Sequence, residues 1–223
     1  MFVFNKNMGR EIMGINDYHI LMGDIKGRLY DAEHLNIEFQ DLIATCNRRF
    51  EQRIMSPYSA TLGDEFQGVA DSIKSMLESI FYLEEESLNR QLKYKIRYVG
   101  LEGKIVTPLN SNIAHGMMGE GLTAARKKLN DNGRGKPRIQ IVLRDQQMAD
   151  ELNQLFFVLD GIKSHWNVHD GPLIVEMINH QQDAAVGEIF NKTRSQIWKR
   201  RKTLLIQEYC ILKNLILDKT IIA

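Results

Sequence analysis

The order of strand-like and helix-like patterns constrains this chain more than any other feature of its sequence. Through residues 18–143, short apolar or alternating runs, which are typical of strands, are separated by segments whose apolar residues recur at helical spacing. The predicted order is strand, helix, β-hairpin, helix, strand, helix, strand. Such an order predicts an α+β fold in which helices cover one face of a sheet.

The strand pattern disappears near residue 146, which predicts a change of architecture along the chain. We expect an α+β domain at residues 1–145 and an all-α domain at residues 146–223, which begins with a linking helix. Gly171 and Pro172 separate this linking helix from the helices that follow, because a Gly-Pro pair disfavours a continuous helix.

Two aspartates fall where the predicted strands would bring them together. Asp24 ends the first apolar strand, "YHILMGD", and Asp64 lies at the hairpin tip in "SATLGDEFQGVA". If these strands are neighbours, the two carboxylates converge, and a Mg²⁺ ion would relieve their repulsion while also binding substrate phosphates. The alternative for Asp64 alone is a turn residue, since Gly-Asp is common in hairpins. Glu65 is interpreted as an exposed hairpin residue.

The segment directly after Asp24 carries groups that suit phosphate oxygens. It offers backbone amides, a glycine for close approach and two cations at the predicted start of a helix. The residues that we expect to contact phosphate are Ile25, Lys26, Gly27 and Arg28. Together with the two aspartates they predict a site for a magnesium-bound nucleotide.

These stretches resemble the catalytic domain of class III nucleotidyl cyclases. "ILMGDIKGR" and "TLGDEFQGV" are similar to its two metal-binding stretches, and "GEGLTAARKKL" is similar to its Asn-x-Ala-Ala-Arg helix. "LGDEF" also resembles the GGDEF motif of diguanylate cyclases, which share the sheet. The resemblance implies a palm or ferredoxin-like (nucleotidyl cyclase-like) sheet, with Asp24 and Asp64 as metal ligands. It also implies that Arg126 is the arginine that stabilises the transition state in an active enzyme.

Two positions depart from the cyclase pattern. Leu122 stands where the family has its ribose-orienting asparagine, and Ala60 stands where it has the base-reading lysine. Cyclisation needs an accurately aimed hydroxyl, and a misplacement of about 1 Å can lower the rate on the order of 100-fold. The departures argue against a competent cyclase, while binding or hydrolysis of a nucleotide stays open.

The C-terminal part contains the spacing of a helix-turn-helix. In "DAAVGEIFNKTRSQIWKRRK", Gly187 permits a close helix approach, Asn191 suits a left-handed turn position, and Ile197 would pack the second helix on the first. Thr193 and Gln196 have the spacing of a capping box, which sets the start of the second helix. The pattern resembles sigma-factor region 4 and related regulators.

This second helix is also the most basic part of a chain whose net charge is only +1. Residues 193–202 contain five basic side chains and no acidic one, which favours DNA as a partner. The residues that we expect to contact DNA are Thr193, Arg194, Ser195, Gln196, Lys199 and Arg200. The alternative is a helical hairpin whose basic face is only solvated.

Dimerisation and location follow from weaker signals. One helix-turn-helix would bind DNA weakly, so we expect a homodimer. An apolar stripe would form either its interface or internal core, and consists of Ile211, Leu212, Leu215 and Ile216. No apolar run approaches the roughly 20 residues that span a bilayer, which predicts no membrane partner. Cys46 and Cys210 have neither disulfide nor zinc spacing, which predicts a cytoplasmic protein.

Over its whole length the chain resembles the SatD family of bacterial proteins, in which a cyclase-like domain precedes a predicted helix-turn-helix. The leading hypothesis is a DNA-binding regulator whose cyclase-like domain binds a magnesium-bound nucleotide or keeps a degenerate form of that site. One alternative is an enzyme that converts a nucleoside triphosphate, with the C-terminal domain as an adaptor. Another is a protein–protein module in which neither site functions.

Overall fold

The computed structural model describes residues 17–26, 32–61, 63–131 and 135–220, with the backbone alone at 32–34. Its strands are β1 (Asp17–Lys26), β2 (Ile54–Ala60), β3 (Glu65–Ala70), β4 (Lys95–Lys104) and β5 (Ile139–Val142). Its α-helices are α1 (Ala32–Arg49), α2 (Ile73–Asn89), α3 (Glu120–Asn130), α4 (Gln146–Lys163), α5 (Gly171–Asn179), α6 (Asp183–Ile189), α7 (Arg194–Thr203) and α8 (Ile206–Asp218). The predicted order and the α+β class are confirmed. Within the described segments, no helix is long and apolar enough to cross a membrane.

The five strands form one mixed sheet in the order β2-β3-β1-β4-β5. Strand β1 is antiparallel to β3 and β4, β2 is antiparallel to β3, and β5 is parallel to β4. Helix α1 joins β1 to β2, and β3 lies between these two strands in the sheet. Helix α2 joins β3 to β4, and β1 lies between them. This order puts the end of β1 between the start of β3 and the start of β4.

Both faces of the sheet are buried, because successive side chains of a strand point to opposite faces and β1 is apolar on both. One face carries Leu21 and Tyr98 and packs on α1, α2 and α4. The other face carries Met22 and Val99 and packs on α3, and we call it the α3 face. The prediction that helices cover only one face is therefore wrong. An uninterrupted apolar run such as that of β1 is typical of a strand with both faces covered.

The C-terminal helices build an apolar core of their own and also contribute to the core between the sheet and helices α1, α2 and α4. The third apolar cluster draws on α5 to α8 and consists of Leu173, Ile174, Met177, Val186, Ile197, Leu204 and Ile206. Tyr209 and Ile216 of α8 lie instead in the core that α1 and α2 share. Ile211 and Leu215 are exposed, so the apolar stripe of α8 is divided between core and surface. The domain boundary at 145/146 and the homodimer stay predictions.

A buried ion network attaches α4 to the sheet and α2. The Arg138 guanidinium, just before β5, donates two hydrogen bonds of 2.7 Å to the carboxylate of Glu84 on α2. Its Nε also donates to Asp160 of α4 at 3.0 Å, and Lys163 of α4 pairs with Glu84. Burial alone would raise the pKa of Glu84, but Arg138 and Lys163 outweigh it and hold this pKa well below its ordinary value. The network therefore depends on an ionised Glu84.

Candidate functional site

Asp24 lies near the end of β1 on the α3 face, together with Ile20 and Met22. Only 8% of Asp24 is exposed. In the sheet it lies opposite Glu65 of β3 on one side and Arg97 of β4 on the other. Cross-strand neighbours of this kind share a face, so the three charged side chains lie together at one end of the sheet.

Arg97 holds Asp24 in a two-point contact. Its Nε donates to Oδ1 of Asp24 at 2.9 Å, and a terminal guanidinium nitrogen donates to Oδ2. Burial raises the pKa of Asp24 above its ordinary value, and Arg97 opposes that rise. Sequence reasoning missed Arg97. The signal was the alternation of "KIRYVG", which puts Arg97 on the face opposite Ile96 and Tyr98.

The hairpin brings Asp64 close to Asp24. The carbonyl oxygen of Asp64 accepts a hydrogen bond of 2.9 Å from the amide of Ile25. After burial, the charge of Asp64 is a further cause of the raised pKa of Asp24. Gly63 allows the sharp turn, since its φ of 85° lies in the left-handed region that favours glycine.

Glu65 belongs to the same group, and its interpretation as an exposed hairpin residue is wrong. It is half-buried at the start of β3, where burial raises its pKa and the charge of Arg126 opposes the rise. Arg126 of α3 donates to Oε1 of Gln67 at 3.0 Å, and the buried Gln67 donates to the Ala114 carbonyl. These contacts direct Arg126 over the end of the sheet.

We refer to Asp24, Asp64, Glu65, Arg97 and Arg126 as the Asp24 cluster. A resident Mg²⁺ does not fit it, because magnesium needs accessible oxygen ligands and Arg97 engages both oxygens of Asp24. The two guanidinium groups also offset most of the negative charge that a cation would relieve. Among the described residues, no group of three or more His, Cys, Asp or Glu is arranged to hold a metal.

Only the first two residues of the expected phosphate-binding segment, Ile25 and Lys26, lie among the described residues. The amide of Ile25 donates to Asp64 and is therefore not available to phosphate. Lys26 is exposed and, with Arg97 and Lys136, lines a cleft of about 220 Å³. Gly27 and Arg28 lie outside the described residues.

The departures from the cyclase pattern have different surroundings. Leu122 is buried in the apolar cluster of the α3 face, so an asparagine at this position would be a polar group in the core. Ala60 ends β2 and pairs with Phe66 of β3. Neither position offers a hydrogen-bonding side chain to a ribose or a base.

The connection between α6 and α7 has the local geometry that its sequence predicts. A Cβ on Gly187 would lie 2.5 Å from the Lys192 carbonyl oxygen, and Asn191 is left-handed with a φ of 51°. The backbone N–H of Gln196 donates to Oγ1 of Thr193 at 3.2 Å, and the backbone N–H of Thr193 donates to the side-chain Oε1 of Gln196 at 2.8 Å. The predicted capping box is therefore confirmed.

Ile197 determines which side of α7 faces outward. It is fully buried in the cluster of α5 to α8. The side away from Ile197 carries exposed residues at spacings of three and four positions, among them Ser195, Trp198, Lys199 and Lys202. We call this side the outer face of α7. Arg194 is also exposed, at the leading end of the helix.

Three of the predicted DNA contacts are engaged within the protein. Arg200 pairs with Asp170, and the Oε1 of Gln196 serves the capping box. Oγ1 of Thr193 also accepts the capping hydrogen bond from Gln196. Sequence reasoning missed Trp198, which is 53% exposed, and Lys202. Both follow from Ser195 by helical spacing, which was the available signal.

Fold and surface define a mixed α+β protein whose sheet carries a charge-compensated cluster and whose C-terminal helices expose a basic face. A sequence model described as the SatD family matches residues 18–216. The chain therefore belongs to the SatD family. No curated protein matches it.

Proposed function

We propose that this protein binds double-stranded DNA through the outer face of α7. The proposal rests on one observation: Lys199 and Lys202 are exposed on the side of α7 opposite the buried Ile197, and α7 contains no acidic residue. An α-helix fits the major groove of B-DNA, and lysines neutralise phosphates there. The capped start of α7 and the tight turn before it give the helix a fixed orientation on α6.

The side chains of α7 divide into two roles. Arg194 and Ser195 at the leading end would reach base edges, and Trp198 would make apolar contact with a thymine methyl group. Lys199 and Lys202 would contact phosphates. Gln196, whose Oε1 serves the cap, keeps only its amide NH₂ group for a base, and Thr193 positions the helix. Arg200 would position α7 through its pairing with Asp170.

A single outer face with its two lysines, even with Arg194 beside it, would bind DNA weakly, with a dissociation constant of about 10⁻⁴ to 10⁻⁶ M for non-specific sites. A homodimer would place two such faces on one duplex, in the way that helix-turn-helix dimers contact two half-sites. We therefore propose that the protein binds its operator as a dimer.

Fluorescence anisotropy with a labelled duplex tests the DNA proposal. In about 50 mM salt, Lys199→Ala/Lys202→Ala should weaken binding roughly 100-fold, because two phosphate contacts are lost. The matched control is Lys127→Ala/Lys128→Ala, which removes two exposed lysines from the end of α3. Equal affinities for the wild type and the α7 variant, or equal losses in both variants, would contradict the proposal.

For the cyclase-like domain we propose a degenerate nucleotide site. The approach of Asp64 to Asp24 and of Arg126 to Glu65 supports the likeness to a nucleotidyl cyclase. The burial of Leu122 and the engagement of Asp24 by Arg97 oppose an active centre. A magnesium-bound nucleotide, or an enzyme that converts one, would require Arg97 to leave Asp24. The degenerate site therefore accounts for the geometry better than the enzyme does.

A thermal-shift panel of nucleotides, with and without Mg²⁺, tests this second proposal. A ligand present at about 100 times its dissociation constant should stabilise the fold by roughly 2.7 kcal/mol. We expect stabilisation that does not depend on Mg²⁺. A shift that requires Mg²⁺ would instead favour the magnesium-bound nucleotide, and the absence of any shift would contradict nucleotide binding.

A further inference from the structure

The position of Arg97 resembles that of a bound cation. Its guanidinium contacts both oxygens of Asp24, and the two side chains are only 17% and 12% exposed. Arg97 reaches this place from β4, where it lies directly beside Asp24 in the sheet. The backbone of two paired strands therefore fixes the contact.

We propose that Arg97 takes the place of a divalent cation in the Asp24 cluster and excludes Mg²⁺ and Mn²⁺ from it. A guanidinium is permanently charged, and its planar fork matches a carboxylate at two points. A metal ion at Asp24 would have to displace this fork and separate a half-buried guanidinium from its partner, which is unfavourable. The positive charge of Arg126, whose guanidinium is held by Gln67, also disfavours a cation beside Glu65.

This exclusion concerns the nucleotide site proposed above, but it is independent of nucleotide binding. A phosphate group at this end of the sheet would meet cations of the chain, since Lys26, Lys136 and Arg97 line the adjoining cleft. A metal ion would not bridge this phosphate group to Asp24. The test accordingly uses the metal alone, so that a failure of nucleotide binding and a failure of metal exclusion are separate results.

Isothermal titration with Mn²⁺, without nucleotide, tests the proposal. The wild type should show no saturable uptake. Arg97→Gln should bind one Mn²⁺ saturably, at least about tenfold more tightly than the detection limit that the wild type fails to reach, because a positive charge a few ångströms from Asp24 has been removed. Asp24→Asn/Arg97→Gln should lose this gain, since Asp24 is the ligand that becomes accessible.

A matched control is Arg90→Gln, which removes an arginine from the exposed Asp41 and should create no site. Circular dichroism establishes that each variant is folded. A folded Arg97→Gln that binds no Mn²⁺ would overturn the proposal. Titration of the wild type tests the proposal even if Arg97→Gln does not fold. Saturable Mn²⁺ uptake by the wild type that is lost in Asp24→Asn would overturn the proposal.

Discussion

Replacing Glu84 with glutamine should lower the free energy of unfolding by about 3 kcal/mol, because Glu84 neutralises a buried arginine. Arg138 and Glu84 share two hydrogen bonds of 2.7 Å, and their side chains are only 8% and 9% exposed. Removing one partner of such a pair costs about 3–5 kcal/mol. We expect the lower end because Asp160 stays in contact with Arg138, even though Lys163 also loses the charge of Glu84.

Urea unfolding followed by circular dichroism measures this loss. Thermal unfolding should show a fall in Tm of about 6–12 °C, at about 2–4 °C per kcal/mol for a chain of this size. The control is Asp41→Asn in the pair with Arg90, where the Asp41 side chain is 59% exposed and the expected loss is below about 1 kcal/mol. Equal losses in the two variants would show that burial of the Glu84 pair does not strengthen it.

Two further predictions concern the C-terminal turn and acid stability. Gly187→Ala should lower stability by about 1–3 kcal/mol, since its methyl group would lie 2.5 Å from the Lys192 carbonyl oxygen. A methyl group on Gly161 would have no other heavy atom within 4 Å, so Gly161→Ala should raise stability by up to about 1 kcal/mol. Equal changes of Tm in the two variants would contradict this expectation. Burial alone would raise the pKa of Glu84, but the charges of Arg138 and Lys163 hold this pKa below its ordinary value of 4.5. The contribution of Glu84 to stability should therefore be complete above pH 4.5 and should decrease progressively below it. Urea midpoints measured against pH should fall less steeply in Glu84→Gln, and an unchanged profile would refute the assignment.

The turn between α6 and α7 could be predicted in detail because each of its signals is local. Gly187, Asn191 and the Thr193–Gln196 cap act on atoms within a few residues of themselves. A pattern in the sequence therefore suffices to specify their geometry. The pairing of Arg200 with Asp170 could not be predicted in this way, since the two residues lie on different elements.

The Asp24 cluster could be predicted only in part, because its charges meet across strands. Asp24 and Asp64 adjoin recognisable strands, which made their approach predictable. Arg97 and Glu65 come to Asp24 through the register of β4 and β3, and the sequence does not specify that register. The placement of α3 on the second face of the sheet is likewise set by packing between distant segments.

The salt dependence of DNA affinity tests the central claim most directly, since it counts the cations of α7 that reach phosphates. The logarithm of the binding constant should fall linearly with the logarithm of salt concentration, by about 0.9 per phosphate contact. Lys199→Ala/Lys202→Ala should make this slope shallower by about two units, and Lys127→Ala/Lys128→Ala should leave it unchanged. The claim is contradicted if the α7 variant keeps the wild-type slope, or if the wild type binds no DNA at low salt.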